Sequence, residues 1–236
     1  GINAHQKVNQ LEPLILKRSE AYIGVLIDDL ISKGTEEPYR MFTSRAEYRT
    51  LLRQDNADLR LTELSYRLGL ASQERMDKTL AKKTGVEKIK ETLSAFSLEQ
   101  AESEQYLLEK KSAPLTQKQR AAQVLLRPGI DLPSMINAIP RLALTMDTFD
   151  TATIEEAEIQ LKYAVYIEKE KELVQKMAQL EDLLIPDNFN YDKINSLSNE
   201  ALQKFKKIKP RTLGQASRIS GVNPSDVQIL MVYMGR

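Results

Sequence analysis

Between positions 36 and 60 the basic residues are Arg40, Arg45, Arg49, Arg53 and Arg60, with no lysine among them. A guanidinium is planar, permanently charged and able to grip a phosphate or carboxylate through two parallel N–H bonds. An all-arginine stretch therefore points to fixed anion contacts rather than diffuse charge. Arg45, Arg49 and Arg53 are spaced i, i+4 and i+8, which on a helix puts three guanidinium groups on one face. Glu36, Glu37, Glu47, Asp55 and Asp58 lie close by and offer the arginines local ion pairs. An anion-binding face and a set of surface pairs are both open, and the acids can also serve to hold the guanidinium planes.

A second basic stretch lies near the C-terminus. From Ala201 to Arg218 come Lys204, Lys206, Lys207, Lys209, Arg211 and Arg218, with no acid between them. Ile219-Ser220-Gly221-Val222-Asn223-Pro224 follows as a tight glycine turn between two short helices, with Asn223 as N-cap and Pro224 at the first helical position. The arrangement is similar to a helix–hairpin–helix, whose turn aims backbone amides at a phosphate. A plain helical hairpin with a solvated lysine face fits the same residues. Tyr22, Tyr39 and Tyr48 could stack on bases or fill the core.

Other chemistries lack their residues. There is no cysteine, which excludes disulfides, thiol nucleophiles and thiolate metal sites and agrees with a reducing compartment. His5 is the single histidine, so no histidine triad or histidine metal site can be built, and no glycine-rich phosphate loop is present. Asp28-Asp29 and Glu36-Glu37 are sequence neighbours that do not converge on one helix face, so no metal ligand and no catalytic residue is assigned. Lys+Arg number 34 against 33 acids, so any anion-binding surface is local. The most apolar run, Tyr22 to Ile31, contains Asp28 and Asp29 and is too short to cross a bilayer.

These residues need helices to position them. Leu14-Ile15-Leu16 reads as a short extended segment. Ser19 is the expected N-cap of a helix from Glu20 to about Lys33, with Ile23, Leu26, Ile27, Leu30 and Ile31 buried and Gly34 as its stop. Ser44-Arg45-Ala46-Glu47 fits a capping box and predicts a helix from Arg45 to about Gln54, ended by a turn at Asp55-Asn56-Ala57-Asp58. From Ser72 onward helix follows helix, with expected caps at Ser72, at Ser97 with Gln100, at Thr116 with Gln119 and at Thr153 with Glu156. Arg127-Pro128-Gly129 and Asp131-Leu132-Pro133 are breakers. One long helix is predicted from Ile154 to about Leu184, burying Ile154, Ala157, Leu161, Ala164, Ile167, Val174 and Met177, and Thr212 with Gln215 makes a last capping pair. The fold class is mainly α.

Three ordered blocks carry a resemblance: Arg18-Ser19-Glu20-Ala21-Tyr22-Ile23-Gly24 through Leu30, Glu37-Pro38-Tyr39-Arg40-Met41-Phe42-Thr43-Ser44-Arg45-Ala46-Glu47-Tyr48-Arg49, and Leu52-Arg53-Gln54-Asp55-Asn56-Ala57-Asp58 through Thr62. They closely resemble the MnmG (GidA) family of FAD-dependent enzymes that modify the wobble uridine of certain tRNAs. Gly1-Ile2-Asn3-Ala4 looks like the end of that family's flavin-domain signature. Glu158-Ile159-Gln160-Leu161-Lys162-Tyr163 and Leu213-Gly214-Gln215-Ala216-Ser217-Arg218-Ile219 look like its C-terminal blocks.

The resemblance implies a C-terminal piece of such an enzyme, with the dinucleotide-binding fold upstream. Residues 1–70 would be the remnant of the FAD-binding domain with its short extended segment, 71–150 a helical linker subdomain and 151–236 a C-terminal helical subdomain. FAD and NADH would bind the upstream part, which also carries the catalytic cysteines, so this stretch alone is expected to hold no cofactor and to be inactive. The partners implied are tRNA, the GTPase MnmE with methylene-tetrahydrofolate, and a second copy in a homodimer. The location implied is cytoplasmic, with no membrane contact. Together the enzyme and MnmE would attach an aminomethyl or carboxymethylaminomethyl group to uridine C5. Arg40, Arg45, Arg49 and Arg53 match the motif near the tRNA face, and Lys207, Lys209, Arg211 and Arg218 a region that meets tRNA or partner. The alternative is a helical module that docks MnmE or a second copy without touching RNA.

Overall fold

The structure, a computed structural model, describes residues 1–33, 38–42, 46–181, 183–194 and 196–234. Among them it forms thirteen α-helices and one two-residue strand pair, so the mainly-α expectation is met. The chain divides into two compact units, one of residues 1–52 with 169–236 and one of residues 53–168.

The first unit opens with α1 (Ile2–Val8) and a stretch without regular structure over 11–17. That stretch is pinned by Asn3, whose side chain accepts from the Leu14 amide at 2.7 Å and donates to its carbonyl at 3.0 Å. Next, α2 (Tyr22–Lys33) begins two residues later than the sequence predicts. Its face is also different. Ala21, Val25 and Asp29 are buried, whereas Ile23, Ile27 and Ile31 are 47–59 % exposed. A Cβ on Gly24 would collide with the carbonyls of Leu16 and Lys17, so the chain before α2 crosses directly over it. No helix forms from Ala46 to Gln54, which run through bends and turns, and the next helix starts at Ala57, where a helix-ending turn was expected. The expected stop at Gly34 and cap at Ser44 lie outside the described residues.

The second unit holds α3 (Ala57–Arg67), α4 (Gln73–Ala95), β1 (Ser97–Leu98), α5 (Gln100–Glu109), β2 (Gln119–Arg120), α6 (Ala121–Leu125), α7 (Leu132–Ala138), α8 (Pro140–Met146) and α9 (Thr151–Lys162). Ser72 caps α4 as predicted, accepting from the Arg75 amide. Ser97 and Gln119 do not cap or open helices: they lie in β1 and β2, which pair antiparallel with Ser97 opposite Arg120. Glu99 caps α5 instead, and the Glu102 carboxylate reaches back to the Glu99 amide at 2.8 Å. Likewise Asp150, not Thr153, caps α9, taking the Thr153 amide at 2.7 Å. A Cβ on Gly85 would meet Thr153 and Phe149, so glycine there permits the close approach of α4 and α9. Ile89, Leu93, Leu107, Leu125, Leu132 and Met135 fill the core these helices share. The single long helix is broken at Tyr163 (φ −103, ψ 12), where Lys162 turns its ammonium onto the Ile130 carbonyl and Glu158. A separate helix, α10 (Ala164–Glu181), follows, and the division between the units falls within it.

The C-terminal half of the first unit contains α11 (Asn199–Ile208), α12 (Leu213–Arg218) and α13 (Pro224–Tyr233). Their caps agree with the sequence reading at Thr212, which accepts from the Gln215 amide, and at Asn223 with Pro224 in the first turn. Phe205, Leu213, Ala216 and Leu230 are fully buried between them. Asp226 is buried too, and its carboxylate accepts from the Ser198 amide and hydroxyl and from the Asn223 amide, tying the start of α11 to the start of α13.

One cap makes a pH-dependent prediction. Asp131 caps α7 through the Ser134 amide and pairs with Lys110 at 2.7 Å. Burial alone would raise its pKa, but Lys110 and Ser134 outweigh burial and bring the carboxyl down from 3.8 to about 2. Because the folded value is depressed, the stabilisation is complete above 3.8 and is lost as pH falls through about 2. Asp131→Asn should therefore lower the urea midpoint at pH 6, with the gap to wild type closing below pH 3.8. A gap constant down to pH 2.5 would contradict this.

Candidate nucleic-acid interface

The most demanding electrostatics in the first unit surround Arg18. Its side chain is 4 % exposed and donates from Nη1 to Asp29 Oδ1 at 2.8 Å and Asp28 Oδ2 at 3.0 Å. Its Nε and Nη2 grip Glu47 as a two-point pair, at 3.2 and 2.7 Å. Asp28 in turn accepts Arg218 Nε at 2.7 Å and Nη2 at 3.1 Å, while Tyr39 donates its hydroxyl to Asp29 Oδ2 at 2.9 Å. Burial alone disfavours the Arg18 charge, but Glu47 and Asp29 outweigh it and hold the guanidinium pKa above its ordinary value. Four parts of the chain meet in this one network: the segment before α2, α2 itself, the loop around Tyr39 and Glu47, and the end of α12.

The network explains why Glu47 does not start a helix. Both its oxygens face Arg18, so the carboxylate is drawn to a residue 29 positions away. A few residues on, the Thr50 and Leu51 amides donate to the Glu170 carboxylate on α10. The loop is thus fastened at Tyr39, Glu47 and Leu51. Between those fastenings Arg40 and Arg49 are exposed, with no ion pair to any described residue. Arg45 lies outside the described residues.

Arg53 belongs to the other unit and is not on a shared helix face with Arg49. It donates from Nε to Asp55 at 3.0 Å and from Nη2 to Glu156 at 3.1 Å. Glu156 is buried, which pushes its carboxyl pKa up. Arg60 folds back onto the Asn56 side chain and the Arg53 carbonyl.

In the C-terminal basic stretch the cations also differ. Lys206 pairs with Asp192, and Arg218 is held by Asp28. Lys207, Lys209 and Arg211 are exposed and make no ion pair with a described residue. The hairpin turn between α12 and α13 uses Gly221 at φ 87, and the Glu200 carboxylate fills the place a Cβ there would take. A phosphate approaching that turn meets a carboxylate.

Sequence reasoning passed over Arg18 and set Asp28-Asp29 aside. The available signal was an aspartate pair inside an otherwise apolar helix, preceded by an arginine. Carboxylates on such a face are buried only with a cationic partner.

The matches to known proteins agree with this architecture. The model described as the tRNA modifying enzyme MnmG/GidA C-terminal helical domain matches residues 73–171, and that of the MnmG/GidA C-terminal helical bundle matches residues 173–236. The tRNA uridine 5-carboxymethylaminomethyl modification enzyme MnmG of Cytophaga hutchinsonii is 51 % identical over 236 residues, and that of Flavobacterium johnsoniae is 54 % identical over 237. Each alignment covers 100 % of this chain and 38 % of the relative. A crystal structure of Aquifex aeolicus GidA superposes with a TM-score of 0.77 at 39 % identity, covering 100 % of this chain and 36 % of that one. Fold and matches together define a C-terminal helical region of the kind the MnmG/GidA models describe. The chain belongs to the MnmG/GidA family and corresponds to its C-terminal portion, spanning a little over a third of the length of these relatives.

Removing one member of a buried ion network leaves the others uncompensated, at a cost of about 3 kcal/mol. Arg18→Met should lower stability by that order in chemical denaturation, and Arg218→Gln by clearly less, because Asp28 keeps Arg18. Equal losses would contradict the placement of Arg18 at the centre.

Proposed function

We propose that this chain is the tRNA-binding and partner-docking region of an FAD-dependent enzyme that works with the GTPase MnmE on C5 of the wobble uridine. The observation that carries the reading is that Arg40, Arg49, Lys207, Lys209 and Arg211 belong to one compact unit and are exposed without ion pairs among the described residues. Each can neutralise a backbone phosphate and release its counterions. Arg45 joins them by its place between Arg40 and Arg49. An RNA contact by Arg53 or Arg218 would have to compete with Glu156, Asp55 or Asp28 for the guanidinium. We assign those two arginines to the scaffold first and to RNA second.

FAD and NADH belong, in this reading, to the remaining length of the family's proteins. This chain has neither the cysteine nor the glycine-rich loop that such chemistry calls for. By itself it is inactive. Homodimerisation and a cytoplasmic location go with the whole enzyme. Among the described residues no helix is long and apolar enough to cross a membrane. A second reading, docking of MnmE or another copy without RNA, draws support from the exposed Ile23, Ile27 and Ile31 on α2.

The two readings separate in a salt titration of binding to a tRNA transcript, with MnmE as parallel ligand. The RNA reading predicts that Arg49→Ala weakens tRNA binding and reduces the slope of log K against log salt by a little under one. An unchanged affinity and slope would refute a phosphate contact by Arg49. Binding of MnmE with no tRNA affinity at low salt would favour the second reading.

A further inference from the structure

An open cleft of about 750 Å³ lies in the C-terminal part of the first unit. Its size is within the range of about 300–1,000 Å³ typical of sites for small ligands. Asp187, Phe189, Tyr191, Lys206, Lys209 and Arg211 line it. Its aromatic wall is rooted in the core. Phe189 is half-buried and packs edge-on to Tyr191 at 5.1 Å, and Tyr191 packs at 5.5 Å on the fully buried Phe205.

The basic wall is equally fixed. The Ile185 amide donates to the Arg211 carbonyl at 2.8 Å, the Leu213 amide to the Leu183 carbonyl at 3.0 Å, and the Arg211 amide to the Gln215 side chain at 2.8 Å. Lys209 closes α11 in the left-handed region (φ 51, ψ 61), the conformation in which helices commonly end. Pro210 follows it and is buried. Lys206 pairs with Asp192, which also lines the cleft, whereas Lys209 and Arg211 make no ion pair with a described residue.

An aromatic face beside two uncompensated cations is the chemistry that receives a single-stranded nucleotide, with the base stacked and the phosphate neutralised. We propose that this cleft holds one unstacked nucleotide of the bound tRNA, its phosphate on Lys209 and Arg211 and its base against Phe189. The Asp187 carboxylate is available to accept from a base N–H. The proposal rests on the tRNA-binding reading above and deepens it by giving that RNA one defined subsite.

The test uses the 236-residue chain and an unmodified tRNA transcript, with affinity measured at several salt concentrations. Phe189→Leu keeps apolar bulk and removes the stacking face, and Lys209→Gln and Arg211→Gln are surface changes. The expected result is a loss of about fivefold or more for Phe189→Leu with the salt slope unchanged, and a slope reduced by a little under one for each cation variant. If Arg49→Ala weakens binding while all three cleft variants bind as wild type, the subsite is overturned and the RNA-binding reading stands. If the wild-type chain fails to bind the transcript at low salt, both fall.

Discussion

A buried guanidinium needs carboxylate partners, and in the first unit that requirement falls on Arg18. With 4 % of its side chain exposed, it can keep its charge only by drawing Asp28, Asp29 and Glu47 onto it. The remaining geometry follows from those partners. Asp29 turns α2 so that Val25 is buried and the isoleucine stripe faces out. Glu47 fixes the course of the loop that carries Arg40 and Arg49. Asp28 extends the network to Arg218 and so fastens α2 to α12, the helix that follows the basic segment of Lys207, Lys209 and Arg211. Two stretches more than 150 positions apart in sequence are brought into one unit through a single carboxylate.

The basic residues then sort by what lies within reach. Arg18, Arg53 and Arg218 have carboxylates close enough to bond and act on the fold. Arg40, Arg49, Lys207, Lys209 and Arg211 have none among the described residues and face solvent. A chain with a net charge of +1 can in this way keep a locally cationic surface without global basicity. Pairing with neighbours thus holds for Arg18, Arg53 and Arg218; binding of an outside anion by the others is the proposal made above.

What was legible in the sequence was local. Ser72, Thr212 and Asn223 act as caps because their side chains answer amides three residues away. The mainly helical class follows from the same local signals. The failures are cases where a distant partner won. The helix expected from Arg45 to Gln54 does not form over the described residues 46–54, where Glu47 is held by Arg18. Ser97 and Gln119 had cap-like spacing, but each other's strands take them. The stripe on α2 was assigned to the wrong face because isoleucines count as interior by type, while the ion pair that selects the face is invisible to periodicity. The cleft beside Phe189 was equally hidden, since its two walls, residues 185–192 and 206–211, meet through tertiary contacts such as the Ile185–Arg211 hydrogen bond and the Lys206–Asp192 pair.

We propose that RNA meets the unit of residues 1–52 and 169–236 through Arg40, Arg49, Lys207, Lys209 and Arg211. Amide hydrogen exchange of the chain with and without tRNA tests this most directly. The account predicts protection by tRNA in the loop around Arg40 and Arg49 and in residues 206–212, with 73–162 unchanged. Protection confined to the helices of residues 53–168 would contradict it.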